Sequence, residues 1–316
     1  MRRLVIASRG SPLALAQARI VSDIARNADP DLEITIYPVK TVGDRDRRPF
    51  GAIGGRGLFV AEVERAVVEG RADIAVHSAK DLTAEIAEGC TIICFPARGA
   101  VEDVVVGGRG LSGEERLAGL PAGATVGTSS MRRRALLSEA IPGIEAVDLR
   151  GNLDTRLRKV AEGVIEAAVL AAAGLDRLGV RDGASLDTAW WVPPPGQGAL
   201  AVQARSSRTD LAGLFESGDH APTRSEVECE RAFATRLEGG CSVPLGCLAR
   251  ATGRELVVTG YLGHPNGAES MRDRISGSVA DASELGDELA GAILRGGGAE
   301  LREEINRLAL VQAEPP

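Results

Sequence analysis

Apolar and polar positions along this chain follow a repeated order: a short apolar run, a polar loop, then a stretch with apolar residues at helical spacing. RRLVIAS at 2–8 predicts a strand, RGSP a loop, and LALAQARIVSDIARNA a helix. LEITIYPV predicts an alternating strand that ends at Lys40, and LFVAEVERAVVEG an amphipathic helix stopped by Gly70. RADIAVHSAKDL predicts a strand running straight into a polar loop, and TIICF a further buried strand. After GGRGLSG at 107–113 the order restarts, through ATVGTSSMRRRALLSEA, IEAVDLRGNLDTRLRKVAEG and VIEAAVLAAAGLDRLG. Strands alternating with helices predict α/β domains with largely parallel sheets.

WWVPPPGQGAL is a Pro/Gly-rich crossover, after which ALAVQAR returns as a strand. The last third changes character. SEVECERAFATRLEGG predicts a charged helix, and VPLGCLARAT, ELVVTGYLGH and MRDRISGSVA predict an antiparallel sheet. Residues 284–310 read as a helix interrupted at Gly297 and Gly298. The expected organisation is an α/β domain over 1–99 with 199–217, a second over 100–198, and a small α+β domain over 218–316.

Composition narrows the function. A chain of 316 residues suits two or three domains, and 44% hydrophobic with 26% charged residues supports a normal core. A net charge of −7 argues against a general nucleic-acid binder. No apolar run is long enough to span a bilayer, and the apolar stretch in MRRLVIASRGSPL is too short for a secretory signal, so a cytoplasmic protein is expected. Five cysteines without a C-x-x-C pair speak against a disulfide framework, and three histidines against a His-rich metal site. Of 37 basic residues, only Lys40, Lys80 and Lys159 are lysines.

In parallel sheets ligands bind beyond the C-terminal strand ends, near helix N-termini. Four polar segments land there: RGS at 9–11, HSAKDL at 77–82, GTSSMRRR at 127–134 and RGNLDTRLR at 150–158. They supply Arg9, Ser11, Ser78, Lys80, Ser129, Ser130, Arg132, Arg133, Arg150 and Arg156, all anion-binding types. Together they describe a cleft for a multiply negative ligand; the alternative is a set of solvated helix starts whose arginines pair with nearby acids. No nucleotide-binding glycine motif follows the first strand.

Asp81, inside this cationic group, is either a carboxylate that stabilises a cation or shuttles a proton, or a helix cap or Lys80 partner. Cys241, in the tight turn of LEGGCSVPLG, is either a nucleophile or covalent tether with a lowered pKa, or an ordinary loop thiol.

These segments resemble, in order, one family: hydroxymethylbilane synthase, or porphobilinogen deaminase. The matching stretches are IASRGSPLALAQA, VKTVGD, GGRGLFVAEVERAVVEGRADIAVHSAKDL, GTSSMRRRALL, LRGNLDTRLRKV, AAVLAAAGLDRLG, PPGQGALAVQAR and ERAFATRLEGGCSVPLG, over residues 6–246. The resemblance implies two similar doubly wound α/β domains of periplasmic-binding-protein type and a small third domain. It implies a transferase that joins four porphobilinogen molecules into the linear tetrapyrrole hydroxymethylbilane, releasing ammonia, in porphyrin and haem biosynthesis. It implies a dipyrromethane cofactor linked by a thioether to Cys241, and a metal-free monomer without nucleic-acid or membrane partners.

By the same resemblance Asp81 is catalytic. Lys80, Ser129, Arg132, Arg133 and Arg150 bind cofactor. Arg9, Ser11, Ser130, Arg156, Phe59 and Gln197 bind substrate, Phe59 from a flap. Arg132, Arg133, Arg150 and Arg156 are expected to hold carboxylates rather than structure. Val5, Arg56, Thr83 and Glu102 depart from the commonest family pattern, and Glu102, where an arginine is frequent, puts one carboxylate contact in doubt.

Two rivals remain at this level. A solute-binding module would have no reason for the third domain with its cysteine turn. An arginine-rich nucleic-acid binder would need a basic surface.

Overall fold

A computed structural model describes residues 3–41, 60–237 and 243–313. Phe59, Arg56 and Cys241 lie outside the described residues.

The chain begins with β1 (Arg3–Arg9), α1 (Pro12–Ala28), β2 (Glu33–Val39), α2 (Ala61–Val68) and β3 (Ile74–Ser78). Ser11 caps α1 by accepting from the Ala14 N–H, and Pro12 fits the first helical turn, where its missing donor costs nothing. A 3₁₀ turn, Ala79–Asp81, follows β3, and β4 spans Cys90–Cys94.

The second unit contains β5 (Asp103–Gly107), α3 (Gly113–Ala118), β6 (Thr125–Gly127), α4 (Met131–Ala140), β7 (Glu145–Val147), α5 (Leu153–Ala161), β8 (Ala167–Ala171), α6 (Ala172–Arg177) and β9 (Ala184–Ser185). The crossover then returns the chain to β10 (Leu200–Arg205) and α7 (Thr209–Phe215).

The two sheets share one plan. The first has the order β2-β1-β3-β10-β4 and the second β7-β6-β8-β5-β9. In each, three parallel strands are followed by an antiparallel one, β10 or β5. Both antiparallel strands adjoin a crossover between the units, so each connection ends inside a sheet. These are two similar α/β units. The antiparallel strand β5 was not legible as a separate element.

The third unit packs α8 (Ala221–Arg236), α9 (Ala282–Ile293) and α10 (Ala299–Ala313) on one face of an antiparallel sheet. That sheet is β11 (Leu245–Thr252), β12 (Glu255–Gly263) and β13 (Ser270–Ser278). The interruption expected in the last helix occurs at Gly297, with φ +113°. Leu248 and Tyr261 on the other face pack with Leu137 and Trp191 of the second unit. Arg272 adds a bidentate grip on Glu139 of α4, at 2.7 and 3.0 Å.

The two crossovers lie against one another. Gly99 donates to the Gly198 carbonyl at 3.1 Å. At Gly196 (φ +74°) a Cβ would stand 2.9 Å from the Lys80 nitrogen, so only glycine lets the crossover approach the 3₁₀ turn. Arg98 joins this junction to the third unit. It donates to the Gln197 carbonyl at 2.8 Å, to Glu226 at 3.1 Å, and bidentately to Glu230 at 2.8 and 2.9 Å. Glu230, fully buried, also accepts from the Gly196 and Ala249 backbone N–H groups. Removing one partner strands a buried charge. Arg98→Leu is therefore expected to lower stability by about 3–5 kcal/mol, read as a fall in the denaturant midpoint.

Candidate active site

The parallel strands of both sheets end at the same cleft. Arg9 closes β1 and Ser11 caps α1; Lys80 and Asp81 occupy the 3₁₀ turn after β3; Ser129 and Ser130 follow β6; Arg150 and Arg156 flank the start of α5. Arg9, Ser11, Gln17, His77, Ser78, Lys80 and Asp81 line one cavity of about 110 Å³. Sequence reasoning had not singled out Gln17 or His77. Gln17 donates to the Ser78 hydroxyl at 3.0 Å, fixing that corner.

The cleft is positive and poorly compensated. Lys80 exposes surface to the cleft, yet surrounding protein desolvates its ammonium, and Arg133 repels it; together they push it down to about 8. Burial, and then Arg133, lowers Arg156, with Arg9 adding to the repulsion. Arg156 keeps its charge at neutral pH because a guanidinium begins so high. Neither Lys80 nor Arg156 forms an ion pair with a described residue. Lys80 instead donates to Gln197 Oε1 at 3.2 Å, and Arg156 to the Gly151 carbonyl at 2.9 Å. Arg150 is half-buried beside Asp148, at 2.7 Å.

Asp81 is exposed and makes no side-chain hydrogen bond among the described residues. The capping alternative thus has no bond to support it. The serines do cap: Ser130 accepts from the Arg133 N–H, as Ser11 does from Ala14. A capping hydroxyl still has its own O–H to donate to an anion. Ser129 donates to the Leu149 carbonyl at 2.7 Å.

Two expectations are corrected. Arg132 was expected to serve a ligand and not structure. It is buried, and its terminal nitrogens donate to the Val192 carbonyl at 2.8 Å and Asp103 Oδ2 at 2.5 Å. Arg133 is similarly held, by the Val169 carbonyl at 2.9 Å and Asp103 Oδ1 at 2.6 Å. It also lies close enough to depress Lys80 and Arg156, so it borders the cleft while being structural. Gln197 was expected to bind substrate. It is fully buried, and its amide donates to Val101 O and Asp103 Oδ1 and accepts from Lys80. Gln197 positions Lys80.

Asp103, missed in the sequence, is the centre of this network. Trp191 Nε1 also donates to it, at 2.8 Å, so its oxygens take four donors. Burial alone would raise its carboxyl, but Arg132 and Arg133 outweigh that and hold it well below the usual carboxylate range. The only signal in the sequence was a single acid opening the apolar run DVVVG.

The remaining cysteines are poor nucleophiles. Burial, with help from neighbouring acids, pushes the Cys94 and Cys229 thiols up to about 12 and raises Cys90 and Cys247. All four lie in strands or a helix, as expected.

Comparison with known proteins shows the family. A family model described as "Porphobilinogen deaminase, dipyromethane cofactor binding domain" matches residues 4–213. The chain belongs to the porphobilinogen deaminase family. A second model, the C-terminal domain of that family, matches residues 225–295. The porphobilinogen deaminase of Pelobacter propionicus is 41% identical over 307 residues, covering 96% of this chain and 97% of that protein. That of Roseiflexus sp. is 43% identical over 302 residues, covering 94% and 98%. Among solved structures, the methionine-binding protein MetQ is 12% identical with a TM-score of 0.43, covering 68% of this chain and 89% of its own.

Two outcomes test this porphobilinogen deaminase site. Asp103→Asn should lower stability by about 3–5 kcal/mol, because two buried guanidiniums lose their counter-charge. The Asp103 carboxyl is depressed in the fold, so its contribution is present above the unfolded value, about 3.9, and is lost as pH falls below it. Acid unfolding of the variant should therefore be less steep than that of wild type. Lys80 carries its charge below about pH 8 and loses it above. The KM for porphobilinogen should rise as pH passes that value, and Lys80→Arg should flatten the alkaline rise.

Proposed function

We propose that the cleft joins porphobilinogen units, with Asp81 as the catalytic carboxylate and the surrounding cations as carboxylate holders. The enzyme is a hydroxymethylbilane synthase: it polymerises porphobilinogen into the linear tetrapyrrole, with release of ammonia, in tetrapyrrole biosynthesis. The observation that carries the reading is one exposed carboxylate, Asp81, without a side-chain hydrogen bond among the described residues, beside Lys80 and Arg156, which form no ion pair with a described residue and are both repelled by Arg133. Such a site favours a ligand with several carboxylates and one centre that becomes positive.

The donor set fits the dipyrromethane cofactor of this family, whose two pyrroles carry an acetate and a propionate each. Lys80, Ser129 and Arg150 would hold those carboxylates, and Cys241 would carry the thioether; the four described cysteines are too basic or too buried for it. When bound, the cofactor supplies the free pyrrole position onto which the chain grows. Arg9, Ser11, Ser130 and Arg156 would take the carboxylates of the arriving substrate, with Phe59 stacking on a ring.

As the substrate's C–N bond breaks, its electron pair leaves with ammonia and positive charge spreads over the pyrrole. Asp81 stabilises that charge and accepts a hydrogen bond from the pyrrole N–H. Lys80, held by Gln197, keeps a carboxylate anchored beside it.

We read the chain as three domains, 1–99 with 199–217, 100–198 and 218–316, and the enzyme as a cytoplasmic monomer acting without metal or nucleic acid. No helix among the described residues is long and apolar enough to cross a membrane.

Intact mass and single-turnover kinetics test this. Cys241→Ala should fold and match its sequence mass, while wild type should be heavier by two pyrrole units. Asp81→Asn, loaded with preformed cofactor, should bind substrate yet be nearly inactive. Asp81→Glu should be slower than wild type by about a hundredfold, since the carboxylate moves by roughly 1 Å. Near wild-type turnover by Asp81→Asn, or cofactor mass on another cysteine, would overturn the assignment.

A further inference from the structure

Beneath Asp81 runs a buried polar chain that carboxylate binding does not use. His77, the penultimate residue of β3, is 5% exposed and borders the same cavity as Arg9, Lys80 and Asp81. Its Nε2 lies 2.9 Å from Gln203 Oε1 on β10, and Gln203 Nε2 donates to Glu64 Oε1 on α2 at 2.7 Å.

This order fixes the proton. Glu64 Oε1 already accepts from the Ala87 backbone N–H at 3.3 Å, so the amide nitrogen of Gln203 faces this acceptor and its oxygen faces His77. The proton therefore sits on His77 Nε2. Burial lowers the imidazole pKa, against smaller opposing pulls from the Gln203 bond, Glu64 and Asp81, and the ring is neutral at neutral pH. In a neutral ring protonated at Nε2, Nδ1 is a bare lone pair. Nδ1 makes no hydrogen bond with a described residue, and it is not among the side-chain atoms sealed from solvent without a partner.

The cavity wall thus divides into two kinds of group. Arg9, Ser11 and Lys80 offer donors, which suit carboxylates. Asp81 offers a carboxylate, and His77, which borders the cavity, an Nδ1 acceptor with no hydrogen-bond partner among the described residues; both suit an N–H group. A neutral lone pair would repel a carboxylate.

We propose that His77 Nδ1 accepts a hydrogen bond from the aminomethyl ammonium of the arriving porphobilinogen, beside Asp81, and that Glu64 and Gln203 hold the ring in the tautomer this requires. His77 is then a substrate-contacting residue; Gln203 and Glu64 are positioning residues. The inference rests on the reading of Asp81 and the cleft given above.

Two isosteric halves of histidine separate contact from structure. His77→Asn keeps an acceptor near the position of Nδ1 and loses the bond to Gln203. His77→Gln keeps a donor near Nε2 and loses the acceptor. With cofactor-loaded enzyme, His77→Gln should lose roughly tenfold or more in kcat/KM for porphobilinogen, one hydrogen bond to a charged group. His77→Asn should retain clearly more activity, even if it melts lower. A purely structural histidine gives the reverse order.

Asp81→Asn is assayed in parallel. If it turns over at a near wild-type rate, the cleft reading falls and this inference with it. If it is inactive while His77→Gln matches or exceeds His77→Asn, the inference on His77 alone is overturned. Should neither His77 variant fold, ¹⁵N spectra of the Asp81→Asn holoenzyme decide; the chain has only three histidines. An unprotonated Nδ1 signal that shifts on adding porphobilinogen supports the proposal. A protonated Nδ1, or an unmoved signal, overturns it.

Discussion

Asp103 accepts four hydrogen bonds in a site closed to water, and the geometry of the cleft depends on that single carboxylate. Its two oxygens take Arg132, Arg133, Trp191 and Gln197, which come from one helix and one crossover. Each of those groups reaches further. Arg133 spans to the β8 carbonyl of Val169, and Gln197 to Lys80 on the other sheet. A buried charge is tolerable only when fully paired, so the network is either complete or costly. This all-or-none character reaches the cleft through Gln197, which holds the Lys80 ammonium in place.

The same logic explains what could be read from the chain alone. Alternating strand and helix periods gave both α/β units, because each element shows its buried face in its own spacing. The loops carrying Arg9, Lys80, Asp81, Ser129 and Arg156 were legible because parallel strands must end at one edge, where polar residues have a ligand or solvent to face. The division of labour among the basic residues was not. Arg132 and Arg156 are the same residue type near the starts of similar helices, and only the location of Asp103 decides that one is locked inside while the other forms no ion pair with a described residue.

Gln197 failed for a related reason. A polar residue in a Pro/Gly crossover looks exposed, and its burial follows from the close approach of Gly196 to the turn at Ala79–Lys80. His77 gave no signal either, since a histidine within an apolar strand usually means packing. Its significance comes from Gln203 and Glu64, which the topology brings together from distant parts of the chain.

The exchange of strands between the two sheets has a consequence for how the molecule is made. β3 pairs with β10, with the whole second unit lying between them in the chain. On the ribosome the first sheet therefore waits with β3 and β4 presenting unpaired edges until the second unit has emerged. Long-range antiparallel pairing is slow, and open edges invite wrong partners. The earliest half of this enzyme is thus the last to be finished, and its vulnerable period is set by the time needed to synthesise its neighbour.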